Sequence, residues 1–250
     1  MTRRRWIADE VSGDRAALVG EHADHLIRVL RARVGESFDI VAGQAVRRGR
    51  ITLVKDHRVE FDLSEEVSAP PSLPKITLIL AVFKFDRMEW AIEKCTELGV
   101  SQIVPLISRR TDSHLAAASA KRAERWRNLV RQAAEQSRRA TPPEVTGPIK
   151  LSDALKLNSS LRIVLAESEE QTLLREVLTP EKARDGILLA VGPEGGWAED
   201  EIKAFQQSGW ISASFGHTIL RAETAAIAAI AVAVSLLFPL DSVVSPSVSS

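Results

Sequence analysis

Continuous apolar runs alternate with amphipathic segments from about residue 75 to residue 238. An apolar run without polar alternation is typical of a strand covered on both faces. Apolar residues spaced by four and three positions, as at Met88, Ile92 and Cys95, indicate a helix with one buried face. Alternating strands and helices predict a parallel sheet of the α/β class, which binds ligands at the carboxyl ends of its strands. The predicted strands are residues 76–83, 102–107, 161–167, 186–191 and 212–215, and the predicted helices are residues 86–99, about 121–139, 172–178, from about 199, and 225–238.

Asp86 is predicted to cap the first of these helices, because Glu89 follows it at capping-box spacing. Gly99 is predicted to end the same helix.

The first part of the chain has a different pattern, with short apolar segments at residues 40–41, 50–54 and 59–63 between polar turns. This pattern is typical of a small β-rich domain. One helix is predicted over residues 20–32, with Leu26, Val29 and Leu30 on a shared face. A proline-rich segment predicts the boundary between the two parts. The resulting domains are residues 1–70, residues 75–240 after a linker at 68–75, and a disordered tail at 241–250.

Composition restricts the function classes only in part. The 250 residues are 45% hydrophobic and 26% charged, as in ordinary globular proteins. Lys+Arg and Asp+Glu are both 33, so net charge indicates no nucleic-acid partner. The single cysteine excludes a disulfide framework and a cysteine-based zinc site within one chain, and the histidines show no metal-ligand spacing. The basic start lacks the apolar region of a signal peptide, and the apolar run at 225–238 is too short to span a bilayer, so we expect a cytoplasmic protein without membrane contact.

A glycine-rich turn, GPEGG at residues 192–196, connects a predicted strand to a predicted helix. It matches neither the dinucleotide-binding pattern nor the nucleoside triphosphate P-loop. Glu194 suits a ligand that is not strongly anionic. Glycine serves sharp turns as readily as close ligand approach, so the residues alone leave a purely structural turn open. A second turn at residues 216–221 leads into the last helix, with Glu223 in its first turn, where a carboxylate suits the positive end of the helix dipole.

Two basic regions leave a further alternative open. Basic residues outnumber acidic ones over residues 121–139 and over the first 50 residues. A charge-rich helix such as the one predicted at 121–139 often only presents its charges to solvent, whereas two basic surfaces together favour a polyanion partner.

Several of these segments resemble one family. Residues 189–202 (LAVGPEGGWAEDEI) and 215–231 (FGHTILRAETAAIAAIA) resemble the 16S ribosomal RNA (uracil-N3)-methyltransferases of the SPOUT superfamily. Residues 25–36, 84–100 and 135–145 resemble the same family, so the resemblance spans nearly the whole chain. The chain departs from the family pattern at Phe85 and Arg138, where the family usually has glycine, and in SRRT at 108–111, where Arg110 matches the family arginine.

The resemblance implies a fold and a cofactor. The fold would be a carboxyl-terminal α/β trefoil-knot domain with a parallel sheet, preceded by a small PUA-like β-barrel that binds RNA. The family implies a homodimer through the last helix and the cofactor S-adenosylmethionine. The expected cofactor-binding residues are Leu165, Ala166, Glu167, Gly192, Pro193, Glu194, Gly195, Gly196, Ile219, Leu220, Arg221, Thr224 and Ala225.

The resemblance also implies the reaction, which is methylation of N3 of a uridine in 16S ribosomal RNA within the assembled small subunit. Arg139 is expected to stabilise the uridine anion, helped by Arg110 or Arg221, and Glu194 or Glu223 to accept the proton. Two alternatives stay open: methylation of another RNA site, such as a 2′-O of tRNA, and a non-catalytic RNA-binding assembly factor. The expected RNA contacts are Arg4, Arg5, His25, Arg28, Arg31, Lys84, Arg87 and Arg138, and no metal is expected.

Overall fold

The computed structural model of the protein describes residues 5–43, 45–67, 74–137, 139 and 141–237. Arg4, Arg138, most of the predicted linker and the predicted tail at 241–250 lie outside these residues. The described residues separate into two compact units. The first comprises those within Met1–Pro70 and Arg131–Pro142, and the second comprises those within Pro71–Val130 and Pro143–Ser250.

The regular elements are named in chain order. The strands are β1 (Arg5–Ile7), β2 (Glu10–Ser12), β3 (Arg15–Val19), β4 (Ser37–Ala42), β5 (Ala45–Lys55), β6 (Arg58–Val67), β7 (Ile76–Ala81), β8 (Gln102–Ile107), β9 (Glu144–Val145), β10 (Ile149–Lys150), β11 (Leu161–Leu165), β12 (Ile187–Val191) and β13 (Ile211–Ala213). The helices are α1 (Glu21–Asp24), α2 (Phe85–Leu98), α3 (Ser113–Gln136), α4 (Leu151–Ala154), α5 (Leu174–Val177), α6 (Glu199–Gln207) and α7 (Ala222–Leu237), with a π-helical turn at His25–Val29.

The first unit is built on a curled sheet with strand order β1-β4-β5-β6-β3-β2. Its two edge strands, β1 and β2, are joined by only Ala8 and Asp9, whose amides donate to Val41 and Ala17 at 3.0 and 2.9 Å. Since two residues span only about 7 Å, the sheet must curl to bring its edges together. Trp6, Leu18 and Phe61 lie in the core that this curl encloses.

The predicted helix at residues 20–32 is wrong in its geometry. Only α1 is regular, and the π-helical turn that follows is closed by the Leu30 amide donating to the His25 carbonyl at 3.3 Å. A π turn is wider than an α turn, so Leu26 and Val29, three residues apart, no longer share a face, and Leu30 lies beyond the turn as its C-cap. Leu26 is buried as expected, but Val29 and Leu30 are 63% and 48% exposed.

The second unit confirms the predicted parallel α/β sheet. Its strand order is β10-β8-β7-β12-β11-β13, with β9 also paired to β8, and the pairs are parallel. All five residues of β12 are buried, as the continuous apolar run predicted.

Helices cover both faces of this sheet. Alternate residues of β12, such as Leu189 and Val191, share one core with apolar residues of α2, α3 and α7. Leu188 and Ala190, pointing the other way, share a second core with Trp197 of the turn and Phe205 of α6.

The predicted cap of α2 is wrong. The helix begins at Phe85, its N-cap is Lys84, and no side chain caps it. Asp86 therefore lies inside the first turn, and the Glu89 carboxylate instead accepts hydrogen bonds from Arg125 at 3.0 Å. Gly99 ends the helix as predicted, in the left-handed conformation at φ 115°.

Candidate functional site

The carboxyl ends of three adjacent strands of the second unit meet around one cavity. β12, β11 and β13 are neighbours in the sheet, and the segments that follow them enclose about 440 Å³. This size suits a small-molecule ligand, and the place is where ligands bind in parallel sheets. The lining residues are 165–170, 191–197 and 213–220, with Arg110, Ile202, Ala222 and Ala225.

The glycine turn after β12 is locked to the end of β11 by an indole. Trp197 Nε1 donates to the Leu165 carbonyl at 2.9 Å, and the Trp197 side chain is buried against Phe205 with ring centroids 5.1 Å apart. A Cβ on Gly192 would lie 3.2 Å from Trp197 Nε1. The absence of a side chain at Gly192 therefore lets the turn close over the indole.

Two further contacts fix the ends of the turn. Gly196 has φ +68°, a conformation that glycine adopts without strain, and its amide donates to the Pro193 carbonyl at 2.8 Å. Arg110 Nη1 donates to the Gly195 carbonyl at 2.5 Å. Arg110 also lines the cavity.

A buried glutamate fastens the turn to the segment that carries Arg110. Glu201 of α6 is 4% exposed, and its carboxylate accepts hydrogen bonds from the amides of Ala198 and Arg109, both at 2.9 Å. The Glu201 carboxylate therefore connects the start of α6 with the residue before Arg110.

The cavity is lined by more negative than positive groups. Its carboxylates are Glu167, Glu169, Glu170 and Glu194, and Arg110 is the one lysine or arginine among its described lining residues. Glu169 accepts hydrogen bonds from the Gln171 and Thr172 amides at 3.0 Å, so part of its capacity serves the loop. The charge distribution favours a cationic or neutral ligand over a phosphate.

The two predicted catalytic carboxylates lie near one arginine. Arg87 Nη1 donates to Glu194 Oε1 at 3.2 Å, and Arg87 Nε lies 3.9 Å from Glu223 Oε1. The Glu223 side chain is 6% exposed, more buried than a helix-capping carboxylate at a surface needs to be.

The structure brings most of the predicted cofactor-binding residues together. Eleven of the residues expected from the resemblance line the cavity, whereas Arg221 and Thr224 are exposed and lie outside its lining. Residues 214–218, Ser168 to Glu170 and Trp197 also line it but were missed. The run SFGHT, which overlaps the start of the second predicted turn, was the available signal for the first group, whereas no local pattern connects Trp197 with Leu165.

Arg139, predicted to be catalytic, belongs to the first unit. Its burial lowers the pKa of the guanidinium to about 10. The end of α3 before it is fastened within that unit, since Arg131 Nη2 donates to Asp9 Oδ1 at 2.8 Å and to the Ile7 carbonyl at 2.9 Å. Glu135 is fully buried there, with its Oε1 3.4 Å from the Ile7 amide.

The remaining predicted RNA contacts that the structure describes are mostly at the surface. Arg28 and Arg31 are exposed, and Arg31 has an unusual φ of 51° for a residue with a side chain. His25 is exposed beside the Trp6 ring, with centroids 5.6 Å apart. Lys84 is exposed, and Arg5 is half-buried in β1.

The described part of the chain offers neither a three-ligand metal cluster nor a membrane-spanning helix. No group of three or more histidine, cysteine or carboxylate side chains there is arranged to hold a metal ion. None of the helices described combines the length and hydropathy needed to cross a bilayer.

Comparisons with known proteins all give similarity to RNA methyltransferases. A family model described as an RNA methyltransferase domain matches residues 70–234, which include every residue that lines the cavity. Ribosomal RNA small subunit methyltransferase E of Rickettsia conorii is 33% identical over 219 residues, covering 86% of this chain and 87% of its own. The Mycobacterium bovis protein of the same name is 34% identical over 228 residues, covering 88% and 86%. The crystal structure of ribosomal RNA small subunit methyltransferase E from Neisseria gonorrhoeae bound to S-adenosyl methionine matches with a TM-score of 0.82 at 33% identity, covering 92% of this chain and 96% of that chain.

Proposed function

This chain belongs to the RNA methyltransferase family, and from that premise we propose that it transfers a methyl group from S-adenosylmethionine to N3 of a uridine in 16S ribosomal RNA. The observation that carries the proposal is the cavity at the ends of β11, β12 and β13, with its glycine turn and its carboxylates. The relatives named above act, by their names, on small-subunit ribosomal RNA, and one was crystallised with this cofactor.

The residues present fit the cofactor. S-adenosylmethionine is a cation without phosphate, and four lining carboxylates against one arginine suit such a charge. Apolar lining residues such as Leu165, Val191 and Leu220 suit an adenine ring, and the backbone of residues 192–196 is open to its polar edge because Gly195 and Gly196 carry no side chain. When bound, the cofactor supplies a methyl group on a positively charged sulfur.

The chain's own residues must prepare the uridine. N3 is a poor nucleophile until it loses its proton, and the resulting anion spreads onto O2 and O4. A guanidinium near those oxygens stabilises the anion, and we assign that role to Arg139, with Arg110 or Arg221 as helper. The proton goes to Glu194, to Glu223 or to solvent.

The finer fold and the partners form part of the same proposal. We assign the first unit to the PUA-like class, as its curled sheet suggests, and expect it to bind 16S ribosomal RNA through exposed basic residues such as Arg28 and Arg31. For the second unit we propose the trefoil knot of the SPOUT superfamily. Insertion of β12 between β7 and β11 is a strand order in keeping with it.

We also propose a homodimer through α7. The helix has half-exposed Ala228 and Ala231 between apolar neighbours, and Leu236 is 42% exposed. Small side chains permit close helix approach. We predict from the sequence that the substrate is the assembled small subunit and that the protein is cytoplasmic.

The test is methyl transfer from labelled S-adenosylmethionine to small subunits that lack the modification, followed by nucleoside mass spectrometry. We expect 3-methyluridine. A 2′-O-methylated nucleoside instead would support the other-site alternative, and RNA binding with no cofactor binding would support the assembly factor. Gly195→Trp, which places a large side chain in the cavity wall, should abolish cofactor binding measured by calorimetry.

A further inference from the structure

Arg87 connects two carboxylates that are far from it and from each other in the sequence. It lies in the first turn of α2, Glu194 lies in the glycine turn after β12, and Glu223 lies in the first turn of α7. The Arg87–Glu194 contact is a hydrogen bond of 3.2 Å, and the Arg87–Glu223 contact is an ion pair of 3.9 Å.

The two carboxylates belong to the segments that form two walls of the cavity. Glu194 itself lines the cavity, and Glu223 follows the lining residue Ala222. Arg87 is not among the described lining residues. Its guanidinium therefore joins the two walls from behind and does not form a wall itself.

The positions of Arg87 and Glu223 in the first turns of α2 and α7 explain why their charges pair. A cation in the first turn of a helix is unfavourable because the helix dipole is positive there, and two carboxylates offset this for Arg87. The Glu223 side chain is 6% exposed, and its Oε2 has no hydrogen-bond partner among the described residues. A buried carboxylate needs a nearby cation, and Arg87 provides it.

We infer that Arg87 is a positioning residue, which holds the glycine turn against the start of α7 and so keeps the cofactor cavity in its binding shape. This inference rests on the proposed function. It differs from the RNA contact that the family resemblance implies for Arg87, because it assigns the guanidinium to two carboxylates of the same chain.

The test compares Arg87→Gln, Arg87→Lys, Glu194→Gln and the double variant Arg87→Gln/Glu194→Gln in the full-length protein. Affinity for S-adenosylmethionine is measured by calorimetry, and affinity for a 16S RNA fragment is measured by filter binding. Hydrogen exchange of residues 192–196 is measured in the protein without ligand. Arg58→Gln is the matched control, since Arg58 also joins two carboxylates, Glu10 and Glu60, but in the first unit.

Arg87→Gln should raise the cofactor Kd about tenfold, speed exchange of the turn and leave the RNA Kd unchanged, and Arg87→Lys should restore part of the affinity. In the double variant the turn should exchange no faster than in Arg87→Gln, because both changes break the same Arg87–Glu194 contact. Arg58→Gln should leave the cofactor Kd unchanged.

Several results would overturn the inference. Weaker RNA binding with unchanged cofactor affinity would assign Arg87 to RNA. Unchanged hydrogen exchange of the turn in Arg87→Gln would refute the positioning role, whether or not the wild type binds S-adenosylmethionine. Absence of S-adenosylmethionine binding by the wild type would refute the proposed function and not the positioning role. If Arg87→Gln does not fold, Glu194→Gln must by itself speed exchange of the turn, or the inference fails.

Discussion

Two neighbouring glycines of the 192–196 turn should respond differently to the same substitution. Gly196 has φ +68°, and a Cβ there would meet nothing within 4 Å, so Gly196→Ala adds backbone strain without a steric clash. An L-residue in the left-handed region costs about 1–2 kcal/mol. Gly195 is not among the glycines with positive φ, and its Cβ would lie 3.7 Å from Arg110 Cδ, an ordinary contact.

The expected magnitudes follow from these conformations. Gly195→Ala should be neutral or stabilise the protein by up to about 1 kcal/mol, because alanine restricts the unfolded chain. Gly196→Ala gains the same entropic benefit but is strained, so the two variants should differ by about 1–2 kcal/mol in the free energy of unfolding. In a domain of this size that difference corresponds to roughly 2–8 °C in Tm.

The assay is urea unfolding of the protein without ligand, followed by tryptophan fluorescence. Trp197 is buried next to this turn and reports on the second unit. Equal stability of the two variants, or a larger loss in Gly195→Ala, would refute the conformational reasoning. Circular dichroism of both variants controls for a change of fold.

Three further predictions concern buried or partly buried groups. Glu201→Ala should lower the free energy of unfolding by about 2–4 kcal/mol, because the Ala198 and Arg109 amides lose their acceptor; Glu201→Gln, which keeps one acceptor oxygen, should cost less in the same urea assay. Burial raises the pKa of Asp9, but hydrogen bonds from His22 and the Val19 amide, with the charge of Arg131, outweigh this and leave the pKa below its ordinary value of 3.8. Ionised Asp9 therefore stabilises the fold above about pH 4, and this contribution is lost as the pH falls through the lower folded pKa, so Asp9→Asn should flatten the acid limb of stability against pH; an unchanged limb would contradict the assignment. Cys95 is fully buried, and burial raises the pKa of its thiol, so labelling by iodoacetamide should occur only at the rate of opening and become fast in urea; rapid labelling of the native protein would show that the α2 core is open.

Local pattern was sufficient for much of the second unit. The largely apolar runs of β7, β8, β11 and β12 predicted strands covered on both faces, because such strands lack regular polar alternation. The same reasoning missed β1, β2 and β3, which are short or carry exposed polar residues, and it placed an α-helix where a π turn lies. It also placed a cap at Asp86, because capping-box spacing alone does not determine where a helix begins.

The sequence by itself determined that the chain has a parallel α/β sheet and that the turn at 192–196 follows one of its strands. Only the tertiary structure decided which strand ends meet, because strand order is not encoded in periodicity. Arg87 and Glu194 are 107 residues apart, and Trp197 and Leu165 are 32 apart, so no local pattern connects these partners. The last turns of α3, from Arg131 to Gln136, belong to the first unit although the helix begins in the second, since Arg131 and Glu135 find their partners on β1 and the residues that follow it. Burial and charge pairing between distant residues are properties of the folded chain, and they fixed the shape of the cavity.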